Sequence, residues 1–165
     1  MNFLTILKEK TLLGLKKEFG ECIIYFRMNI LFFLTPKSQV AYVMEDFTLR
    51  QVAEKLTFHH YTAIPILSKD GKYIGTISEG DLFRYIKDHD QLNYRSAENT
   101  PILDVPIERD VETIRFDAKM DDLYHMALNQ NFVPVIDDNG IFIGIVTRSA
   151  IMGYFCKPKE DSKSK

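Results

Sequence analysis

The stretch "TAIPILSKDGKYIGTISEGDLFRYI", residues 62–86, is written again as "FVPVIDDNGIFIGIVTRSAIMGYF", residues 132–155. Pro65 and Pro134 stand 69 positions apart, as do Gly71 and Gly140, Gly75 and Gly144, Leu82 and Ile151, Tyr85 and Tyr154, and Ile86 and Phe155. A constant offset over that many landmarks marks an internal repeat. Upstream of each copy, Leu49, Val52, Ala53 and Leu56, then Met120, Leu123, Tyr124 and Ala127, follow the i, i+3, i+4, i+7 spacing of a helix with one apolar face. The offset there is 71, so the second helix-to-strand loop is two residues shorter. Short extended segments at residues 40–43 and 112–116 precede the two helices. Each unit thus reads strand, helix, strand, strand, helix, an α/β (α+β) arrangement.

The hairpin strands are joined by Asp70-Gly71 or Asn139-Gly140, dipeptides whose readiness for positive φ suits a tight turn. The strands "AIPIL", "YIGTI", "FVPVI" and "IFIGIV" are so apolar that both faces of each three-stranded sheet need cover. Two helices per unit cover one face, and the sister repeat is expected on the other. The expectation is one compact domain with pseudo-twofold symmetry and clefts shared between the repeats. Its divisions are residues 1–27 as an extension, 28–86 as the first repeat, 87–110 as a polar, proline-punctuated surface connector, 111–156 as the second repeat, and 157–165 as a frayed tail.

The chain has 165 residues, 45% hydrophobic and 27% charged, which suits one folded domain with a substantial core. Its 21 basic and 23 acidic residues leave a net charge of −2, with no global field to draw in nucleic acid or an anionic membrane. Cys22 and Cys156 form neither a disulfide framework nor a zinc ribbon, and they read as ordinary thiols in a reducing cytoplasm. The apolar run at residues 22–34 is shorter than the roughly 20 residues a membrane span needs, and Arg27 and Asn29 interrupt it. The first 27 residues have no place in the repeat. Either Met28 is the native start, or residues 4–19 form an amphipathic helix that packs on the pair or on a partner.

The duplicated pattern resembles the CBS domain pair over about residues 40–155. The resemblance rests on Ile64-Pro65-Ile66 and Val133-Pro134-Val135, on the two glycine hairpins, and on a G-h-h-[ST]-x-x-D motif leading into the last helix of each unit. That motif is complete from Gly75 through Ser78 to Asp81; in the second copy it runs from Gly144 through Thr147 to Ala150, without the acid. "VAYV", "YTAIP" and "NQNFVPV" are similar to stretches of small stand-alone bacterial CBS proteins, some of which bind cyclic di-AMP or AMP. The resemblance implies a non-catalytic sensor that binds an adenine nucleotide (AMP, ATP or cyclic di-AMP) between the repeats and relays occupancy to a protein partner. It also implies a homodimer of pairs meeting through their last helices, with Tyr85, Tyr154 and Phe155 fitting that role and Phe83 and Met152 equally suited to the core.

Ser78 and Asp81 suit a ribose clamp, because a carboxylate accepts from two adjacent hydroxyls. They equally suit a helix capping box, and the two roles can coexist. Val40, Ala41, Tyr42, Thr62, Ala63 and Ile64 are candidates for an adenine slot, with Tyr42 or Tyr61 stacking on the base. Pro65, lacking an N–H, marks an interruption in the strand where a ligand can approach. The ligand-binding set includes Ile114, Val133, Pro134 and Thr147 of the second copy. Arg148, at the start of the last helix, reads either as a phosphate ligand or as a solvated surface arginine. With Asp81 on one side and Ala150 on the other, the two clefts are expected to be unequal, giving one competent adenosine site or one bridging ligand.

His59 and His60 lack the i, i+4 spacing of a helical metal pair, so a loop or cap role is expected and no metal site. Gly75 to Gly80 lacks the lysine of a phosphate-binding loop, and Asp137 and Asp138 suffice as turn residues. No catalytic constellation is present, and no cofactor is implied beyond the nucleotide as ligand. The rival reading is a protein-interaction module with vestigial clefts. A nucleotide hydrolase using Asp81 or Asp137 with a metal is the enzymatic alternative, for which no partnered acid or base is visible.

Overall fold

A computed structural model describes residues 29–89 and 96–155. The 1–27 extension, Met28 and the tail at 157–165 lie outside the described residues, and with them both alternatives for the start of the chain, including the amphipathic helix expected at residues 4–19. The strands are β1 (Thr35–Pro36), β2 (Val43–Met44), β3 (Ala63–Leu67), β4 (Tyr73–Ser78), β5 (Ile114–Arg115), β6 (Phe132–Ile136) and β7 (Phe142–Thr147). The α-helices are α1 (Leu49–His59), α2 (Glu79–Asp88), α3 (Met120–Asn129) and α4 (Arg148–Phe155). The first sheet runs β2-β3-β4 and the second β1-β7-β6-β5, with β2 parallel to β3 and β5 parallel to β6. Each unit is therefore the strand, helix, strand, strand, helix of the sequence reading, and β1 is an addition that the sequence did not announce.

Local chemistry sets the element ends. Thr48 and Gln51 form a capping box at the start of α1, and His60 ends that helix in the left-handed region at φ 56°. At the hairpin turns Gly71 (φ 81°) and Gly140 (φ 78°) take positive φ. The Gly71 N–H bonds to Ser68 O and the Gly140 N–H to Asp137 O, so each connection is a turn closed by a left-handed glycine with a register shift, longer than a two-residue turn. The two tips then pair with each other: Lys72 bridges Ile141, and Phe142 N–H donates to Gly71 O at 3.0 Å. The rings of Tyr73 and Phe142 stack across this seam with centroids 6.4 Å apart.

Each repeat has its own core, and each core is completed by residues from outside the repeat. Leu49, Val52 and Leu56 of α1 meet Ile64, Ile66 and Ile77 of the sheet, as the helical spacing anticipates. Ala97, Ile102 and Val105 bury themselves in the same cluster, and Leu49 N–H donates to Thr100 O while Ile102 N–H donates to Phe47 O. The connector, expected on the surface, thus forms part of the first repeat's core from Ala97 onward. Its composition misled because most of its side chains are polar, while Ala97, Ile102 and Val105 turn inward and Leu103 stays 52% exposed.

Reciprocally, Ile30 and Phe33, at the start of the stretch assigned to the first repeat, lie in the second repeat's core with Leu123, Val133, Val135 and Val146. Tyr124, placed on the apolar face of α3 by its spacing, is 42% exposed and stands at the edge of that face. Strand β1 pairs antiparallel with β7, setting Thr35 against Ile145 and Pro36 against Gly144. Gly144 makes this possible, because a Cβ there would lie 2.2 Å from Thr35 O and 3.1 Å from Pro36 Cα. Its counterpart Gly75 faces the connector in the same way, where a Cβ would meet only the flexible end of Ile107 at 2.9 Å. Gly144→Ala is therefore expected to destabilise the protein by about 1–3 kcal/mol, the usual cost of overpacking, and Gly75→Ala by less; urea unfolding of the two variants measures the difference.

Candidate functional site

Two clefts open between the repeats, and each draws on both halves of the chain. The first, about 440 Å³, is lined by Thr76, Ser78, Asp81 and Arg84 from the first repeat and by Glu108, Arg109 and Val111 from the segment leading into the second. The second, about 390 Å³, is lined by Val40, Ala41 and Pro65, by Tyr61, and by Ile145, Thr147 and Ser149 from the second repeat. Thr62, Ala63, Asn131 and Phe132 line both. At the repeat offset, Ser78 corresponds to Thr147 and Asp81 to Ala150, so the clefts are pseudo-symmetric counterparts with different chemistry.

In the first cleft Ser78 caps α2. Its N–H and Oγ donate to Asp81 Oδ2 at 2.8 and 2.6 Å, and Asp81 N–H donates back to Ser78 Oγ at 3.2 Å. Arg84, one turn along the helix, donates from Nη2 to Asp81 Oδ1 at 2.6 Å, while its Nε pairs with Glu108 at 2.9 Å. Asp81 is only 3% exposed. Burial pushes its carboxyl up, but bonds from the Ser78 side chain and backbone, from Arg84 and from the Glu108 backbone outweigh that and hold it below the usual aspartate value. Those donors occupy the roughly four lone-pair positions a carboxylate offers. A ribose hydroxyl reaching Asp81 has to take the place of one of them, and Arg84, 44% exposed on its side chain, is the most easily moved.

Nearby, Tyr73 Oη bonds to Thr76 Oγ1 at 2.8 Å and to Val111 O at 3.1 Å, tying the first sheet to the second repeat's leader. Burial pushes its phenol up to about 12, so it stays a neutral donor.

In the second cleft the cap is half complete. Ala150 N–H donates to Thr147 Oγ1 at 3.1 Å, and Thr147 Oγ1 lies 3.1 Å from Ser149 Oγ, but no carboxylate answers. His60, at the helix end as the sequence reading held, sits on this rim, and among the described residues no cluster suits a metal ion.

The candidate residues are distributed differently from the single set the sequence assembled. Ser78 and Asp81 share a cleft, but Val40, Ala41, Pro65 and Thr147 line the other one, and only Thr62 and Ala63 reach both. The physical reason is the exchange of leaders, which places the approach to each repeat's first strand against the other repeat's last helix. Tyr42 lines neither cleft; its carbonyl accepts from Lys55 Nζ at 2.6 Å and its ring lies under both Lys37 and Lys55. Ile64, Ile114 and Val133 are core residues, and Pro134 is buried opposite Ile145 in the hairpin. Arg148 reaches neither cleft, since its Nε donates to Ala127 O and Gln130 O and so closes the end of α3. Both sequence readings of it, phosphate ligand and solvated arginine, give way to this structural role. Arg84, Glu108, Arg109, Asn131 and Phe132 were missed. Carrying Thr62 and Ala63 forward by 69 positions gives Asn131 and Phe132, so that part of the signal was present.

Two stretches, residues 33–88 and 102–157, match the CBS domain model. Together with the duplicated fold and the paired clefts, this makes the chain a tandem-repeat protein with clefts between its halves. It belongs to the CBS domain family. A Methanocaldococcus jannaschii protein, MJ1426, is 28% identical over 138 residues, covering 67% of this chain and 82% of its own. The crystal structure of CbpB in complex with c-di-AMP superposes with a TM-score of 0.74 at 27% identity, covering 86% of this chain and 91% of that one. Listeria monocytogenes CbpB, also in complex with c-di-AMP, gives a TM-score of 0.66 at 25% identity over 74% and 90% of the two chains.

Because the folded-state value of Asp81 is depressed, its contribution to stability is complete above the ordinary aspartate value of 3.8 and is lost as pH falls below that through the folded value. Thermal unfolding measured from pH 5 down to pH 2.5, a window of about the reference aspartate range, should therefore show a shallower loss in Asp81→Asn than in wild type. Equal slopes would mean that the carboxylate is not held in this network.

Proposed function

We propose that this protein is a non-catalytic, cytoplasmic regulatory sensor that binds an adenine nucleotide, AMP, ATP or cyclic di-AMP, between its repeats and relays occupancy to a protein partner. The observation that carries the reading is the first cleft, where Ser78, Asp81, Arg84 and Arg109 line one space of nucleotide size. In this reading Asp81 and Ser78 take the ribose hydroxyls, Thr62 and Ala63 border the base, and the two arginines meet the phosphates. A phosphate that draws Arg84 away from Asp81 and Glu108 frees one carboxylate lone pair for the ribose and loosens the tie to the connector. The ligand thereby favours one arrangement of the halves, because it binds two arrangements unequally. Likeness to CbpB, which is seen with c-di-AMP, supports the choice of ligand class. The fully partnered state of Asp81 supports the rival reading of an interaction module with vestigial clefts.

A thermal-shift panel of AMP, ADP, ATP, cyclic di-AMP and GTP decides between them. An adenine ligand at 100 times its Kd should stabilise by about 2.7 kcal/mol, and Asp81→Ala should remove that shift for AMP. An absence of any shift assigns the chain to the interaction-module reading.

The proposal includes a homodimer meeting through the last helix of each repeat. Phe83 is 69%, Ile86 42% and Met152 52% exposed on those helices, in places where the sequence reading left Phe83 and Met152 open between interface and core. Phe83→Asp should halve the mass found by light scattering while leaving the fold intact. A monomeric wild type would remove the dimer from the proposal.

A further inference from the structure

We propose that Asn139 is a site of spontaneous covalent modification, where loss of the side-chain nitrogen as ammonia leaves an isoaspartyl linkage that parts the two hairpin tips. No ligand takes part, so the site is independent of the sensor reading.

The turn at the second tip brings the reacting groups together. Asn139-Gly140 is the one Asn-Gly dipeptide in the chain, and it ends the turn that Gly140 N–H closes onto Asp137 O at 3.1 Å. The Gly140 nitrogen is the nucleophile and Asn139 Cγ its target. Glycine has no Cβ to obstruct that approach, and a Cβ placed at Gly140 would meet nothing within 4 Å, so a five-membered ring has room to close. Asn139 is exposed, and its carboxamide bonds to none of the described residues, whereas its N–H and that of Ile141 both donate to Asp137 Oδ1 at 2.8 Å. The attacking N–H has only the turn bond to release. Gly140 sits at φ 78°, a conformation that residues with a Cβ rarely adopt, so the turn itself demands the neighbour that makes Asn139 labile.

The step needs water and no oxidant. The bond from Gly140 N to Asn139 Cγ forms, the Cγ–Nδ2 bond breaks, and the Gly140 proton departs with Nδ2 as ammonia. Water then opens the imide. Attack at Cγ restores the ordinary peptide and leaves aspartate, whereas attack at the Asn139 main-chain carbonyl carbon breaks its bond to Gly140 N and leaves a backbone that runs through Cγ, one carbon longer. The first product suits the position, because Asp70 already holds it in the first hairpin at the repeat offset. Asp70-Gly71 closes the same ring more slowly, since a carboxylate is a poorer electrophile than a carboxamide.

The second product strikes the seam. Tyr73 N–H donates to Gly140 O at 3.4 Å, Phe142 N–H donates to Gly71 O at 3.0 Å, and Lys72 bridges Ile141. An added main-chain carbon before Gly140 displaces its carbonyl and shifts the register in which the tips meet. The repeats stay joined by their shared cores but lose the backbone pairing at the tips.

Incubation of the full chain in mildly alkaline buffer, followed by isoaspartyl methyltransferase labelling and peptide mapping, tests this. Label should appear in the Asn139 peptide before any other and be absent there from Asn139→Gln, whose longer side chain closes its ring far more slowly. Hydrogen exchange at the Tyr73 and Phe142 amides should quicken by about tenfold in labelled chains. Fresh Asn139→Asp should exchange as fresh wild type does, which separates the added carbon from the added charge. A folded chain that stays unlabelled while a urea-unfolded sample converts overturns the inference, and so does label that appears first at another asparagine. Label at Asn139 with unchanged exchange at both amides overturns it as well.

Discussion

A hairpin with one short parallel strand beside it leaves a flank and part of a face that its own two helices cannot close. In this chain the missing cover comes from the segment that leads toward the other repeat. Phe33 and β1 close the second sheet, and Ala97, Ile102 and Val105 close the first. Both glycines that open the G-h-h-[ST] motif serve this exchange, Gly144 by admitting backbone and Gly75 by admitting the tip of Ile107. The burial involved is substantial, since a fully buried aliphatic or aromatic side chain contributes about 1.5–3 kcal/mol. The repeats are thus held by shared cores at their outer ends and by backbone pairing at their hairpin tips, where Lys72 meets Ile141.

The chemistry of the clefts follows from that exchange. Each is walled by a helix start from one repeat and by the leader of the other, so a ligand in either one touches segments that belong to different cores. One substituted position, Asp81 against Ala150, then separates an acidic, hydrogen-bonded cleft from one offering hydroxyls and aromatic surface. Asp81 illustrates the tension between stability and binding, since the same carboxylate both caps α2 and faces the cavity. Arg84 lies between these roles because it is tethered to Asp81 and to Glu108 at once.

Much of the architecture was legible from the residues. The repeat offset, the helical spacing of Leu49, Val52 and Leu56, the glycine turns and the Ser78–Asp81 cap all depend on neighbours close in sequence, where pattern and geometry are tightly coupled. What escaped were contacts between distant segments. Ala97, Ile102 and Val105 follow no single period, so nothing marked the connector as core. The pairing of Val40 and Ala41 with Thr147 rather than with Asp81 requires knowing that the leaders cross. Arg148 looked available for phosphate because the two carbonyls it satisfies, Ala127 and Gln130, become unsatisfied only once α3 has ended beside it.

The crossed leaders also bear on how such a chain arises. A single unit of this kind, with its leader reaching away from its own sheet, has no complete core by itself. Two identical units facing one another can each lend a leader and close both cores, which is the geometry of an exchanged symmetric dimer. Joining those two units into one chain preserves the geometry while freeing each half to vary alone. A loss such as that of the acid at Ala150 then alters one cleft only, whereas in a symmetric ancestor it would have struck both.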